Sequence, residues 1–170
     1  STPAIAATAA DYNELVTSAQ SATRGGAVGN TERFNPARLQ HKRRLDDSQR
    51  CKAYELDAQR LEPFPQRIRD VGVVIDRATH VLDLKRFLTG SEIVRVYAET
   101  RRKVHTTRED LVSGMLRLDD RSVGLLQITW LHTTMHRPMT SPGKRWLFSA
   151  NSRLHALHLH THCSATSPTG

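Results

Sequence analysis

An aspartate and a histidine lie four residues apart in a stretch of helical spacing, GVVIDRATHVLDLKRFLTG, residues 72–90. Asp76 and His80 therefore project from one face of the predicted helix, about one turn from each other. A carboxylate in that position orients and polarises an imidazole, which suits a base that takes a hydroxyl proton while a hydride leaves the same carbon. The alternative, from the residues alone, is an exposed helix face on which the two side chains merely pair with each other.

The elements around this pair follow from the spacing of apolar residues. Val73, Val81 and Phe87 belong to the helical pattern of residues 72–90, and Gly90 fits the position just after a helix end. Three strands are predicted next, and their short connections make them an antiparallel meander with one covered face. Their ranges are residues 92–100, 110–118 and 123–131.

Two helices and a strand are predicted upstream of the pair. Residues 8–22 form a helix that Thr8 can cap, and residues 32–47 contain a second one. Asn35 is the expected N-cap of that second helix, because Pro36 fits the first helical position. Residues 52–60 alternate as a strand does. Because helices precede strands, the expected fold class is α+β, an open, mainly antiparallel sheet with helices on one face.

The chain after Leu131 loses this alternation and ends in serine, threonine, proline and glycine, so an irregular, histidine-rich tail is predicted for residues 132–170. The imidazoles and thiol of the tail are ligands suited to zinc, copper or nickel. The alternative is a compositionally biased tail with nothing to orient the imidazoles, and no metal site is assigned. The residues concerned are His155, His158, His160, His162 and Cys163.

Charge and composition exclude several classes of protein. The net charge is +8 and the pI is about 10.2. Most of the basic residues have an acidic residue nearby in the sequence, and no aromatic residues that could stack on bases alternate with them. Specific nucleic-acid binding is therefore not expected. The apolar runs are too short to span a bilayer, and residues 1–16 do not have the pattern of a signal peptide. Cys51 and Cys163 form no disulfide framework, which favours the cytoplasm.

Several segments between about Pro3 and Trp130 resemble the Gfo/Idh/MocA oxidoreductases. Within that family, the resemblance is strongest to the members that act on UDP-sugars. The most specific segments are GNTERFNPA, RIRDVGVVIDRATHVLDLKRFLTG and EDLVSGMLRLDDRSVGLLQITWL. The resemblance implies a Rossmann domain for NAD or NADP and a C-terminal domain that closes the active site. The family's G-x-x-x-D-x-x-x-H motif matches Gly72, Asp76 and His80; it implies that His80 is the catalytic base and that Asp76 positions the substrate. Arg33 and Asn35 are the candidate cofactor-binding residues.

The chain also departs from the family pattern. The family's Glu-Lys-Pro motif, whose lysine binds substrate, corresponds to Ser1-Thr2-Pro3, and a histidine of the family is replaced by Asn30. The glycine fingerprint that holds a pyrophosphate at a helix N-terminus is absent. We therefore expect a truncated, diverged member that does not bind NAD(P) by itself. Its expected parts are a nucleotide-domain remnant (1–31), a substrate and oligomerisation domain (32–131) and the tail (132–170).

The function implied is hydride transfer between a nicotinamide cofactor and a sugar or nucleotide-sugar hydroxyl, by a chain expected to be inactive alone. The alternative is a non-catalytic oligomerisation or interaction module. In both cases a homo-oligomer formed through the sheet face is expected. The sequence does not fix the substrate, the choice between NAD and NADP, or whether this chain is itself an enzyme.

Overall fold

A computed structural model describes residues 8–22, 30–47, 53–66, 68, 71–104, 107–143, 146–151 and 156–161. Its helices are α1 (Ala9–Ser21), α2 (Pro36–Asp47) and α3 (Thr79–Thr89), with a 3₁₀ turn over Thr31–Phe34 and a π-helical turn over Val74–Ala78. Its strands are β1 (Glu55–Pro63), β2 (Ile93–Arg101), β3 (Leu111–Leu118), β4 (Val123–Thr129), β5 (Leu131–His136), β6 (Pro138–Pro142), β7 (Trp146–Asn151) and β8 (Ala156–Thr161).

The predicted helix ends are confirmed by their hydrogen bonds. Thr8 caps α1 in a capping box, in which its hydroxyl accepts from the Asp11 amide and the Asp11 carboxylate accepts from the Thr8 amide. Asn35 caps α2, since its Oδ1 accepts from the Ala37 amide at 3.0 Å. Gly90 follows α3 with φ 68°, a left-handed conformation that glycine adopts without strain.

The strands form one mixed sheet of eight strands, which confirms the α+β class. Its order is β2-β3-β4-β1-β6-β7-β8, and β5 also pairs with β1. The predicted meander of β2, β3 and β4 is present and antiparallel. The sequence did not predict that β1 lies at the centre of the sheet and runs parallel to β4. All other pairs are antiparallel.

The prediction of an irregular chain after Leu131 is wrong for the described residues, because four strands follow Thr129 and extend the sheet as far as Thr161. In β6 the sequence does not alternate between apolar and polar residues, because a polar residue lies on the buried face. Ser141 is fully buried, and its hydroxyl lies 2.7 Å from Nε2 of the buried His41 on α2. Pro138 and Pro142 also read as irregular structure, but they stand at the ends of β6, where proline is tolerated.

The helices α2 and α3, together with apolar side chains, cover one face of the sheet, as predicted. The core combines residues of α3 with alternate residues of the strands. A second group of contacts joins α2 to β7, where the His41 and Phe148 rings lie 5.2 Å apart. Val94 and Val96 on the edge strand β2 are 62% and 60% exposed, so within the described chain the covered face does not extend to that edge. The core residues include Leu56, Ala58, Val81, Leu84, Leu88, Val112, Leu116, Leu126, Ile128 and Trp130.

The division of the chain at residues 31/32 and 131/132 stays a prediction, because nothing in the fold tests those boundaries. Among the described residues, no helix has the length and apolar character needed to cross a membrane.

Lys85 of α3 is fully buried, and its ammonium donates to the backbone carbonyl of Leu56 on β1. Burial lowers the pKa of Lys85 to about 7, against the opposing effect of Asp57 and Glu55. A lysine in an unfolded chain titrates near 10.4. Between about pH 7 and 10.5 the unfolded state thus binds more protons than the folded state, and the free energy of unfolding rises with pH in that window.

We therefore expect Lys85→Met to increase the free energy of unfolding at pH 7 by roughly 2 to 4 kcal/mol, because it removes a buried cation while keeping a similar shape. The gain should shrink toward pH 10.5. Urea denaturation at several pH values measures both effects. Lys42→Met is the control, since Lys42 forms a surface pair with Asp46 and such pairs contribute little. A Lys85→Met variant with unchanged stability would contradict the expectation.

Candidate active site

The helical segment that carries Asp76 and His80 begins in contact with Glu109, which lies just before β3. The Val73 amide donates to the Glu109 backbone carbonyl at 3.0 Å, and the Val74 amide donates to the Glu109 carboxylate at 3.2 Å. A Cβ added to Gly72 would lie 2.1 Å from that carboxylate. A larger residue at position 72 would therefore displace the Glu109 carboxylate, which is the end of a flexible side chain, from its contact with the Val74 amide.

Asp76 lies within the π-helical turn, and His80 lies in the first turn of α3 that follows. Single π-helical turns inside helices are rare and frequently occur at functional sites. The wider turn also changes the relative direction of the two side chains. No hydrogen bond joins the Asp76 carboxylate to the His80 imidazole within the described part of the chain, so the orienting contact that four-residue spacing predicted is not formed.

His80 is half-buried and lines a narrow cleft. The free volume of the cleft is about 20 Å³, room for roughly one water molecule. Burial lowers the pKa of His80, and the Arg60 charge lowers it further; Glu32, and to a smaller extent Asp76, act in the opposite direction. The imidazole is therefore neutral near pH 7, the form that accepts a proton. The cleft is lined by Glu32, Arg38, Ala58, Gln59, Arg60, His80, Val81, Leu84, Arg137 and Pro138.

The Asp76 carboxylate faces an arginine instead of the histidine. Its Oδ2 lies 2.9 Å from Nε of Arg77, and the same Nε lies 3.2 Å from Oε2 of Glu62 on β1. Arg77 is thus shared between two carboxylates. Both Oδ2 of Asp76 and Nε of Arg77 are buried and lack a properly aligned hydrogen-bond partner in the described residues. The contact is consequently an ion pair without an aligned hydrogen bond.

Arg33 and Asn35, the predicted cofactor-binding residues, have structural contacts. The Arg33 guanidinium forms two hydrogen bonds with the Asp83 carboxylate, and it lies 5.5 Å from the centroid of the Phe87 ring. Asn35 caps α2. A dinucleotide site needs a strand that leads through a glycine-rich turn into a helix, because that turn holds the pyrophosphate. The described residues contain no such unit, so they do not form a dinucleotide site by themselves. The cofactor role of the two residues stays a prediction.

Five charged residues near the candidate pair were missed by the sequence reasoning. Arg60 and Glu62 had a signal: they continue the buried alternation of β1 after Leu56 and Ala58, and charges on the covered face of a strand must pair. The other three residues had no such signal in the sequence, because only the fold brings them close to the candidate pair. They are Glu32, Arg77 and Arg137.

The histidines of the predicted tail are only partly described. His158 and His160 lie on β8 with ring centroids 6.5 Å apart; His155, His162 and Cys163 lie outside the described residues. Among the residues that the structure describes, no group of three or more histidine, cysteine, aspartate or glutamate side chains could hold a metal ion.

Comparisons with known proteins agree with this architecture. The family model described as "GFO/IDH/MocA C-terminal domain" matches residues 18–141. UDP-N-acetylglucosamine 3-dehydrogenase of Acidithiobacillus ferrooxidans is 35% identical over 100 residues, which are 59% of this chain and 30% of that enzyme. Inositol 2-dehydrogenase 2 of Saccharopolyspora erythraea is 33% identical over 84 residues, 49% of this chain and 25% of that enzyme.

Solved structures extend the likeness to nearly the whole chain. The Acidithiobacillus ferrooxidans enzyme superposes with a TM-score of 0.78 and 26% identity, over 98% of this chain and 51% of that one. WlbA dehydrogenase of Bordetella pertussis, solved in complex with NADH and UDP-GlcNAcA, superposes with a TM-score of 0.76 and 20% identity, over 88% of this chain and 49% of that one. The chain therefore spans about half the length of these proteins.

We expect Asn35→Ala to lower the free energy of unfolding by about 1 kcal/mol, because it leaves the Ala37 amide without its capping acceptor. Chemical denaturation of the chain measures the change. Asn30→Ala is the matched control, since Asn30 precedes the 3₁₀ turn without a side-chain capping bond. Equal effects of the two substitutions would contradict the capping role of Asn35.

Proposed function

Because this chain belongs to the Gfo/Idh/MocA family, whose C-terminal domain it matches over residues 18–141, we propose that it is the substrate-side half of an NAD(P)-dependent dehydrogenase. The proposed substrate is a sugar or a nucleotide-sugar. The observation that carries this proposal is the position of His80: a half-buried imidazole in a charged cleft, directly after the π-helical turn that contains Asp76.

His80 would act as the base. Oxidation of a secondary alcohol removes the hydroxyl proton and a hydride from the same carbon, and a neutral imidazole within hydrogen-bond reach of the hydroxyl takes the proton. The cationic surroundings of His80 favour that neutral form, since burial and Arg60 both lower its pKa. In the reverse direction the protonated imidazole would return the proton to the alkoxide.

Asp76 would position the substrate. Its Oδ2 is buried and shared with Arg77 without an aligned hydrogen bond, so a substrate hydroxyl that donates to it would satisfy a buried acceptor. Leaving such an acceptor unsatisfied costs about 1 to 3 kcal/mol. A hydroxyl-bearing ligand is therefore a better partner for this carboxylate than an apolar one.

The nicotinamide cofactor would accept the hydride; Arg33 and Asn35 stay its candidate contacts within the described residues, and the turn that holds its pyrophosphate would lie outside them. We propose that the chain is inactive alone and has no measurable affinity for NAD or NADP. The proposal of catalysis therefore concerns the chain when a nucleotide-binding domain is joined to it.

The decisive experiment fuses the nucleotide-binding domain of the Acidithiobacillus ferrooxidans relative ahead of residue 1 and restores Glu-Lys-Pro, including Thr2→Lys. Reduction of NAD and NADP is then measured with UDP-sugars, free sugars and inositol. We expect turnover in the fusion, and a loss of roughly a hundredfold or more in His80→Asn, because a general base is worth about that much.

His158→Asn is the matched control, since His158 lies on β8 and does not line the cleft; it should leave turnover unchanged. If the fusion oxidises a substrate and His80→Asn turns over at the parent rate, His80 is not the base. If no substrate of the panel is oxidised, the proposed activity is wrong.

The sheet face opposite the helices, which no described element covers, favours a second function, self-association. Tyr97, Met115 and Leu125 are cross-strand partners on β2, β3 and β4. They point away from the helices, because their neighbours Leu116 and Leu126 are buried on the covered face. Tyr97 is 66% exposed and Met115 51%. Contiguous exposed apolar side chains of this kind mark interaction surfaces, so we propose a homo-oligomer through this face.

We expect Tyr97→Glu to weaken self-association at least tenfold, about 1.4 kcal/mol, because it places a charge on the most exposed side chain of the apolar row. Sedimentation velocity over a range of concentrations measures the dissociation constant. Tyr12→Glu is the control, since Tyr12 is similarly exposed but lies on α1. A parent chain that is monomeric at the highest concentration would rule the interface out.

A further inference from the structure

The covered face of β1 changes from apolar to charged along the strand. Leu56 and Ala58 belong to the core, whereas Arg60 and Glu62 occupy the next two positions on the same face. The Glu62 side chain is only 4% exposed. A carboxylate removed from water to this extent destabilises the fold unless cations and hydrogen-bond donors surround it.

Three arginines from three different segments surround Glu62. Arg137, which links β5 to β6, donates from Nε to Oε1 at 2.7 Å and places Nη2 at 2.6 Å from the same oxygen. Arg77 of the π-helical turn has its Nε 3.2 Å from Oε2. Arg60 lies on the strand itself, with Nε 3.8 Å from Oε1. One carboxylate thus ties the central strand, the helix start and the later strands together.

All three arginines reach the proposed catalytic pair or its cleft, and Arg137 is among those that line the cleft. Arg77 contacts the Asp76 carboxylate at 2.9 Å, and Arg60 lines the cleft beside His80. Arg60 also pairs with Glu32 of the 3₁₀ turn. Glu62 itself does not line the cleft. Its influence on the pair therefore passes through the arginines that it holds.

We propose that Glu62 is the positioning residue of the candidate site: its buried carboxylate fixes Arg77 against Asp76 and Arg60 beside His80. The inference rests on the proposed function for its catalytic meaning. With Arg77 held between Glu62 and Asp76, its cationic guanidinium stays in a position from which its charge favours the neutral imidazole of His80. Without Glu62, Arg77 keeps only the Asp76 carboxylate of these two anions, so its guanidinium is held less firmly.

The charges that face His80 come from every element packed around it. Besides Asp76 and Arg77 on its own helix and turn, they are Arg60 on β1, Glu32 in the 3₁₀ turn, Arg38 on α2 and Arg137 before β6. Because Arg77 acts on His80 through space, its effect on the imidazole depends on where Glu62 holds it. That dependence can be measured without substrate or cofactor.

The experiment is a double-substitution cycle read by the NMR titration of the His80 C2 proton in the chain itself, assigned with His80→Asn. Arg77→Gln should raise the pKa of His80 by at least about 0.3 unit, because it removes a nearby cation. In the Glu62→Gln background, the same substitution should change the pKa by less than half as much, because Arg77 is no longer held there. Equal effects in both backgrounds would overturn the proposal.

A merely structural role for Glu62 lowers stability but leaves the two Arg77 effects equal. Glu62→Asp keeps the charge and shortens the side chain, so it carries the test if Glu62→Gln does not fold; a reduced Arg77 effect is again expected. Glu92→Gln is the matched control, since Glu92 pairs with Arg86 at the surface and should preserve the full effect. Because the cycle needs no turnover, it separates a failure of this inference from a failure of His80 as base.

Discussion

The parallel pairing of β1 with β4 is the constraint on which the arrangement of the site depends. Parallel neighbours cannot be joined by a hairpin, so the chain between them must cross over a face of the sheet. Here the crossover contains the π-helical turn, α3, β2 and β3. It therefore lays the helix of His80 over the covered face, next to Arg60 and Glu62 on β1. The site is a product of this topology more than of any local motif.

Two of the charged side chains that this topology buries, Glu62 and Lys85, differ in how their burial is compensated. Glu62 is matched by three arginines, so its desolvation is offset by ion pairs and hydrogen bonds. Lys85, by contrast, has a backbone carbonyl as the one direct partner of its side chain among the described residues, and its pKa falls to about 7. The arginines around Glu62 fix the relative positions of the segments that carry them. A buried lysine whose partner is a neutral carbonyl mainly lowers the stability of the fold. The two charges meet the same strand, since Lys85 reaches β1 at Leu56 and Glu62 lies six residues farther along it.

Local signals in the sequence predicted local structure well. The Asn35-Pro36 pair located the start of α2, Gly90 marked the end of α3, and alternation located the meander. Each of these depends on neighbours within a few residues. The centre of the sheet could not be predicted in this way, since the pairing of β1 with β4 joins strands more than sixty residues apart. For the same reason the histidine-rich region read as irregular, because Ser141 reveals a buried strand only once His41 is placed beside it.

The π-helical turn at Val74–Ala78 has a consequence for how this segment tolerates insertions and deletions. A π turn accommodates one residue more than an α turn over the same part of a helix. Removing one residue there would restore α-helical geometry and leave the chain on either side in its original direction, because the π turn absorbs the extra residue. A deletion between Asp76 and His80 would place the two residues three apart, a spacing at which side chains still share one face of a helix. Related chains can therefore carry this pair at a spacing of three as well as four.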